Sequence, residues 1–213
     1  MNRRFLGQLA VSLVAVFAAT GALVAHAADE APDALVKRLS TDVLNSIKAD
    51  KSIQAGDISK IVALVDSKIM PNVNFQRMTA SAVGPGWRQA TPEQQQKLQD
   101  EFKTLLVRTY SGALSQVSND QTIVVQPLRA GADGSDVVVR TQVRGSGDPI
   151  QLDYRLEKTP GQGFGWKIYN LNVMGVWLVE TYRSQFAQEI NAKGIDGLIA
   201  TLTERNKANA KKS

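Results

Sequence analysis

Asp153 and Glu157 stand four residues apart with Arg155 between them, a spacing that in a strand puts three charged side chains on one face. Two carboxylates so placed could divide general acid and general base work in glycosidic or proton-transfer chemistry. Their surroundings favour a plainer reading. Ile150, Leu152, Tyr154 and Leu156 alternate with Gln151, Asp153, Arg155 and Glu157, the pattern of a sheet with a charged ladder on its solvated side. Gly161-Gln162-Gly163-Phe164-Gly165 has the composition of a phosphate-cradling loop, but it lies between two strand-like stretches and no helix start follows to lend its dipole. It reads as a hairpin turn. Asp133-Gly134-Ser135-Asp136 offers oxygen ligands for calcium without the further acidic positions of a complete loop, and reads as a turn as well. Nothing in the sequence demands an enzyme.

The 213 residues include no Cys and one His, His26. That histidine falls in a segment, 1–27, that reads as a signal peptide: basic Arg3 and Arg4, an apolar run over 9–24, and Ala25-His26-Ala27 before a cleavage point. The run is short for a bilayer span of ~20 residues and carries Ser12, Thr20 and Gly21. The Arg pair leads straight into Phe5 and Leu6, without the spacer of a twin-arginine signal, and no Cys is present for lipidation. The expected product is an exported, soluble chain, 28–213. Of the 25 basic and 20 acidic residues, Arg3 and Arg4 leave with the leader, so the product keeps a net charge of +3. Without His or Cys it cannot build a His/Cys zinc site, a Ser-His-Asp triad, a thiol nucleophile or a disulfide. Arg129, Arg140, Arg144, Arg155, Lys158 and Lys167 form a candidate patch for phosphate groups or an acidic partner. Asp148, Asp153 and Glu157 interleave with them, which together with export argues against nucleic acid.

The elements that position these residues follow from periodicity. Leu35, Leu39, Val43 and Ile47 recur every fourth residue, and Ile58, Ile61, Val62, Val65 and Ile69 form a second stripe ended by Pro71. A shorter helix is expected over 75–83, broken by Gly84-Pro85-Gly86. Thr91-Pro92-Glu93-Gln94 supplies an N-cap, a first-turn proline and a capping-box glutamine, opening a helix predicted to run to about Val117. After Asn119-Asp120 the period changes to two. Strands are predicted near 121–128, 135–144, 149–158 and 164–173, with separators too short for crossover helices, so the sheet is a four-stranded antiparallel meander. Two helices close the chain, one carrying Leu178, Tyr182, Phe186 and Ile190, the other Ile195, Leu198, Ile199 and Leu202. Both are expected to cover the sheet's apolar face, giving a single α+β domain. The apolar residues of the long helix, the sheet face and the Leu178 helix make either a solid core or the walls of a cavity, and composition does not separate the two.

Two stretches carry a resemblance. Pro71-Asn72-Val73-Asn74-Phe75, Met78 and the run from Gly84 to Gln94 lead to Phe102, Leu105, Leu106, Thr109 and Tyr110. The second is Gly165-Trp166-Lys167-Ile168-Tyr169-Asn170 through Val176 and Val179 to Tyr182-Arg183-Ser184-Gln185-Phe186 and Gly194. Together they resemble the MlaC family, also called the toluene-tolerance Ttg2 family, over nearly the whole of 28–213. The pattern departs where Asn74 and Asn170 stand for the common Asp, and Met174 and Trp177 for Glu and Ser.

The resemblance implies a periplasmic phospholipid carrier that is not an enzyme and has no cofactor or metal, its only ligand being lipid cargo. It implies an antiparallel sheet of NTF2-like or cystatin-like shape, wrapped by helices around an apolar cavity. The implied partners are an inner-membrane MCE-domain ABC transporter complex and an outer-membrane lipoprotein–porin complex, with maintenance of outer-membrane lipid asymmetry as the outcome. The cavity is then expected to be lined by Leu106, Tyr110 and Leu114 of the long helix, by Val139, Val143, Leu152, Tyr154, Leu171 and Val173 of the sheet, and by Val176 with Tyr182. Arg144 or Arg183 would meet the head-group phosphate. A one-residue slip of the last long strand would exchange Tyr169, Leu171 and Val173 for Trp166 and Ile168. An exported NTF2-like interaction or stress-tolerance module with a solid interior is the alternative, and a carboxylate enzyme on Asp153 and Glu157 a third.

Overall fold

The computed structural model describes residues 30–128 and 134–210. The leader reading at 1–27, Arg129 and Asp133 of the calcium candidate lie outside the described residues. Helix α1 (Pro32–Ala49) buries Leu35, Val36, Leu39, Leu44 and Ile47 along one stripe. It stops at Asp50, whose carboxylate accepts from Ser52 N at 2.8 Å and so caps the single turn α2 (Lys51–Gln54). Asp57 caps α3 (Ile58–Leu64) in the same way, accepting from Ser59 N at 2.9 Å. α3 widens into a π turn over Val65–Ile69 before Pro71 ends it. Asn74 opens α4 (Phe75–Val83), and the expected capping box opens α5 (Pro92–Leu114), with Gln94 N 3.2 Å from Thr91 Oγ1 and Thr91 N 2.9 Å from Gln94 Oε1.

α5 stops at Leu114, short of the predicted Val117. Ser115 Oγ donates to the Gly112 carbonyl at 2.8 Å, and the next amides bond three residues back, Gln116 N to Ala113 O and Val117 N to Leu114 O. A hydroxyl competing for backbone carbonyls beside a glycine tightens the last turn out of the α-helix.

The sheet has five antiparallel strands in sequential order, one more than predicted: β1 (Thr122–Val125), β2 (Asp136–Arg144), β3 (Ile150–Lys158), β4 (Trp166–Val173) and β5 (Val176–Trp177). β5 is two residues long and follows a two-residue turn in which Met174 and Gly175 both have positive φ, 50° and 89°. Met-Gly lacks the Asn-Gly or Asp-Gly signature of such turns, so periodicity passes over it.

The strand-parity question resolves in favour of both alternatives. Arg155 pairs with Asn170 and Leu156 with Ile168, leaving Tyr169 as an extra, bulged residue. The side-chain alternation of β4 therefore resets within the strand. Trp166 and Ile168 before the bulge share the apolar face with Leu171 and Val173 after it.

That face meets two different covers. α1 lies over its first end and forms a core from Leu35, Val36, Leu39, Val137, Val139, Leu156, Trp166 and Ile168. The second core is mainly helical, built by α4, α5 and α6 (Leu178–Ala210) around Phe102, Tyr182 and Phe186, with Leu171 and Val173 touching its margin. The C-terminal helices thus pack chiefly on α4 and α5, and α1 covers the sheet where they were expected. Gly194, at φ 70° and ψ −173°, turns a corner inside α6 in a conformation reserved to glycine, which folds Leu198 and Leu202 back onto the helical core. A third cluster joins the end of α1 to α2 and α3, with Val107, Leu114 and Val117 against it. Among the described residues, no helix is long and apolar enough to cross a membrane.

Candidate functional site

The Asp153 and Glu157 carboxylates are engaged by different partners. Glu157 accepts from Asn74 Nδ2 at 2.6 Å and from Arg77 Nη1 at 2.5 Å. Asp153 accepts from Gln151 Nε2 at 2.7 Å and is buried, as are Asn170 and Asn172 on the same face. The expectation of a solvated charged ladder is corrected here: beside β4 the polar face is covered by side chains from the starts of α4 and α6.

Two matching clamps provide that cover. In the first, Asn74 and Arg77 hold one oxygen each of Glu157, and the Arg77 guanidinium lies 3.6 Å from the centre of the Tyr169 ring while also reaching Asp136. In the second, Asn170 Nδ2 donates to Glu180 at 2.8 Å, Arg155 binds the other oxygen of Glu180, and the Arg155 guanidinium lies 4.0 Å from the Trp177 ring. Each clamp ties the start of a helix, α4 or α6, to the sheet. The two asparagines have a reason to be amides. Each also caps backbone through its oxygen, Asn74 to Arg77 N and Asn170 to Leu171 N and Val179 N, while its NH₂ meets a carboxylate.

Burial alone would raise the Glu180 pKa, but the hydrogen bonds from Asn170 and Arg155 outweigh it and hold the carboxyl below its usual range. A carboxylate lowered on folding adds stability that is present above its unfolded pKa and lost as pH falls through the lowered value. Asn170→Asp replaces the donor with a second carboxylate. It is expected to cost about 1 kcal/mol at pH 7, half of Glu180 being exposed and screened, with the deficit closing toward about pH 4 as one of the pair protonates. Urea melts of both proteins at the two pH values check this.

On the apolar face the predicted lining residues divide. Val139 is fully buried in the α1 core, and Tyr182 is buried between Phe102 and Phe186, with ring centroids 5.0 Å and 5.6 Å away. Leu114 packs toward the α1–α3 cluster, and Val176 is half exposed on β5. Leu106, Tyr110, Leu171 and Val173 lie along the margin of the helical core, each only partly covered. Tyr154 is at the margin of the α1 core, its hydroxyl 3.2 Å from Ser40 Oγ. Burial pushes the Tyr154 hydroxyl pKa up, and part of the side chain remains accessible.

Leu152 sits between Thr141 and Val173 in the middle of the sheet, on the apolar face. Leu152 and Ile150 are half-covered, Val143 beside them is buried, and none of the three belongs to the three packed clusters. An apolar strip between two cores, joined to neither, is what a binding space for an apolar ligand requires. Ile150, placed on the apolar face by alternation but not among the expected lining residues, and Ile123, not named at all, extend it through the Val143 register, Ile123↔Val143↔Ile150. Their parity on the strands was the signal that could have found them. The two arginines lie elsewhere. Arg144 is on the polar face, donating to Gln142 Oε1 at 3.0 and 2.7 Å, and Arg183 joins α6 to α4 by donating to the Ser81 carbonyl at 2.9 Å.

Comparison with known proteins shows which family the chain resembles. The profile of the family described as MlaC protein matches residues 37–204. Toluene tolerance protein ttg2D of Pseudomonas putida is 30% identical over 171 residues, 79% of this chain and 77% of the relative. The intermembrane phospholipid transport system binding protein MlaC of Haemophilus influenzae is 24% identical over 195 residues, 90% of each chain. A solved structure from Ralstonia solanacearum, described as a phospholipid-binding protein in complex with a phospholipid, is 50% identical with a TM-score of 0.79, covering 84% of this chain and 98% of that one.

Proposed function

Because the chain belongs to the MlaC family, we propose that it carries phospholipid across the periplasm, holding acyl chains in the apolar space between α1, α5 and the sheet. The observation that carries this reading is the half-covered strip at Leu152, which belongs to none of the three packed clusters among the described residues. Leu106, Tyr110, Tyr154, Leu171 and Val173 are its neighbouring walls. Lipid exchange with an outer-membrane lipoprotein–porin complex and an inner-membrane MCE-domain ABC transporter completes the proposal. Its chemistry is transfer without covalent change, in keeping with a family of non-enzymatic carriers.

Two acyl chains of ~30 CH₂ groups at ~0.8 kcal/mol each would cost on the order of 24 kcal/mol to expose to water, so a membrane lipid does not cross an aqueous gap unaided at useful rates. Inside the protein the chains exchange one apolar environment for another. The net difference from the bilayer is then small, and a small difference is what allows both loading and delivery.

Native mass spectrometry of protein purified from the periplasm, with solvent extraction of what it carries, tests the proposal. Stoichiometric phospholipid is the expected result. A clean unliganded mass with no uptake from liposomes would overturn it in favour of an interaction module with a closed interior.

A further inference from the structure

The three large apolar side chains most exposed among the described residues are Phe164, Met174 and Val176, and two of them form one hairpin. Phe164 is covered in part by Arg38, whose guanidinium lies 4.1 Å from the ring. Met174, 66% exposed, and Val176, 50% exposed, have no such cover.

The register explains what they border. Val176 pairs with Val173, and Val173 pairs with Leu152, so these three side chains form one row on the apolar face across β3, β4 and β5. Covering decreases along that row, from half-covered Leu152 and Val173 to Val176 at the last strand of the sheet. The opposite face of the same hairpin is fastened. Trp177 lies under Arg155, and Asn172 Oδ1 accepts from Gly175 N at 2.8 Å. The hairpin is thus anchored through its polar side and bare on its apolar side. Met174 holds a left-handed backbone, φ 50°, that a methionine adopts at a cost, and so stands at the tip.

We infer that the β4–β5 hairpin is the lip over which a phospholipid acyl chain passes between the Leu152 strip and the outside. A chain sliding over Val176 and Met174 stays in apolar contact for longer before it meets water, which lowers the barrier to transfer more than it changes the affinity. The inference rests on the carrier reading and adds the route.

The double variant Met174→Asn/Val176→Thr removes the apolar lip while respecting the backbone, since Asn tolerates the left-handed turn and Thr suits a strand. Uptake of pyrene-labelled phosphatidylglycerol from phosphatidylcholine vesicles, and its return to unlabelled vesicles, are timed on the full chain together with bound lipid at equilibrium. The double variant is expected to be about tenfold slower in both directions, and Met174→Asn alone about threefold slower with lipid content within about twofold of the parent. Phe164→Ser, which removes a larger exposed side chain from the β3–β4 turn, is expected to leave both rates unchanged. If the lip variants match the parent in rate, the route lies elsewhere and the carrier reading stands. If Phe164→Ser slows transfer equally, the effect is general surface stickiness and the route is overturned. If the parent takes up no lipid, the carrier reading falls and the route with it.

Discussion

Leu152→Glu empties the protein of phospholipid without unfolding it: this is the largest functional effect expected of a single substitution. Leu152 is central in the sheet, yet none of the packed clusters includes it, so its replacement removes little core packing. A carboxylate there faces the space that acyl chains would fill, and an ionised group buried against hydrocarbon without a partner costs several kcal/mol. With lipid bound the cost is met in full; with the space hydrated it is largely avoided. Extracted lipid is therefore expected to fall at least tenfold, while circular dichroism and the melting transition keep their parent shape. Retained lipid in a folded Leu152→Glu protein would remove the strip from the binding site.

Phe102→Ala is expected to have the opposite profile, a large loss of stability with cargo still present in the folded fraction. Phe102 is fully buried, with the rings of Tyr182, Phe186 and Phe75 at 5.0, 5.3 and 5.8 Å. The first two meet it edge-on, an arrangement favoured by ring electrostatics. Truncation leaves a cavity where α4, α5 and α6 converge, and costs about 4 kcal/mol. For a chain of this size that lowers the melting temperature by about 10 °C, and the urea midpoint shifts with an unchanged slope. A loss under about 1 kcal/mol would mean that the helices close over the gap.

Much of this architecture was legible in the residues. The four-residue stripe of α1, the capping box at Thr91 and the corner glycine at 194 are local codes, written in neighbours a few positions apart, and they give the helices within a turn. Alternation gave the four long strands and the apolar set at Leu152 and Tyr154. What escaped depends on partners distant in sequence. Val73 and Asn74 bond to β4 at Ile168, before the Tyr169 bulge, and β5 pairs with it after the bulge, contacts that no periodicity within 166–173 records. The burial of Asp153, Asn170 and Asn172 depends on helix starts folding over a face that reads as solvated. Val139 and Leu152 look equivalent in the sequence, both apolar and facing the same way. Only the placement of α1 makes one a sealed core residue and the other part of an open strip.

The bulge in β4 also divides labour along a single strand. Trp166 and Ile168 belong to the core under α1, and Leu171 and Val173 to the margin of the helical core. Substitutions at well-separated sites without shared partners combine nearly additively. If acyl chains fill the space proposed above, a lineage can therefore resize that end of β4, trading Leu171 or Val173 for a larger or smaller side chain, without retuning the sealed end. One strand thus offers an adjustable half and a constant half, so that related carriers can diverge in the bulk of the lipid they accept while inheriting the same seal.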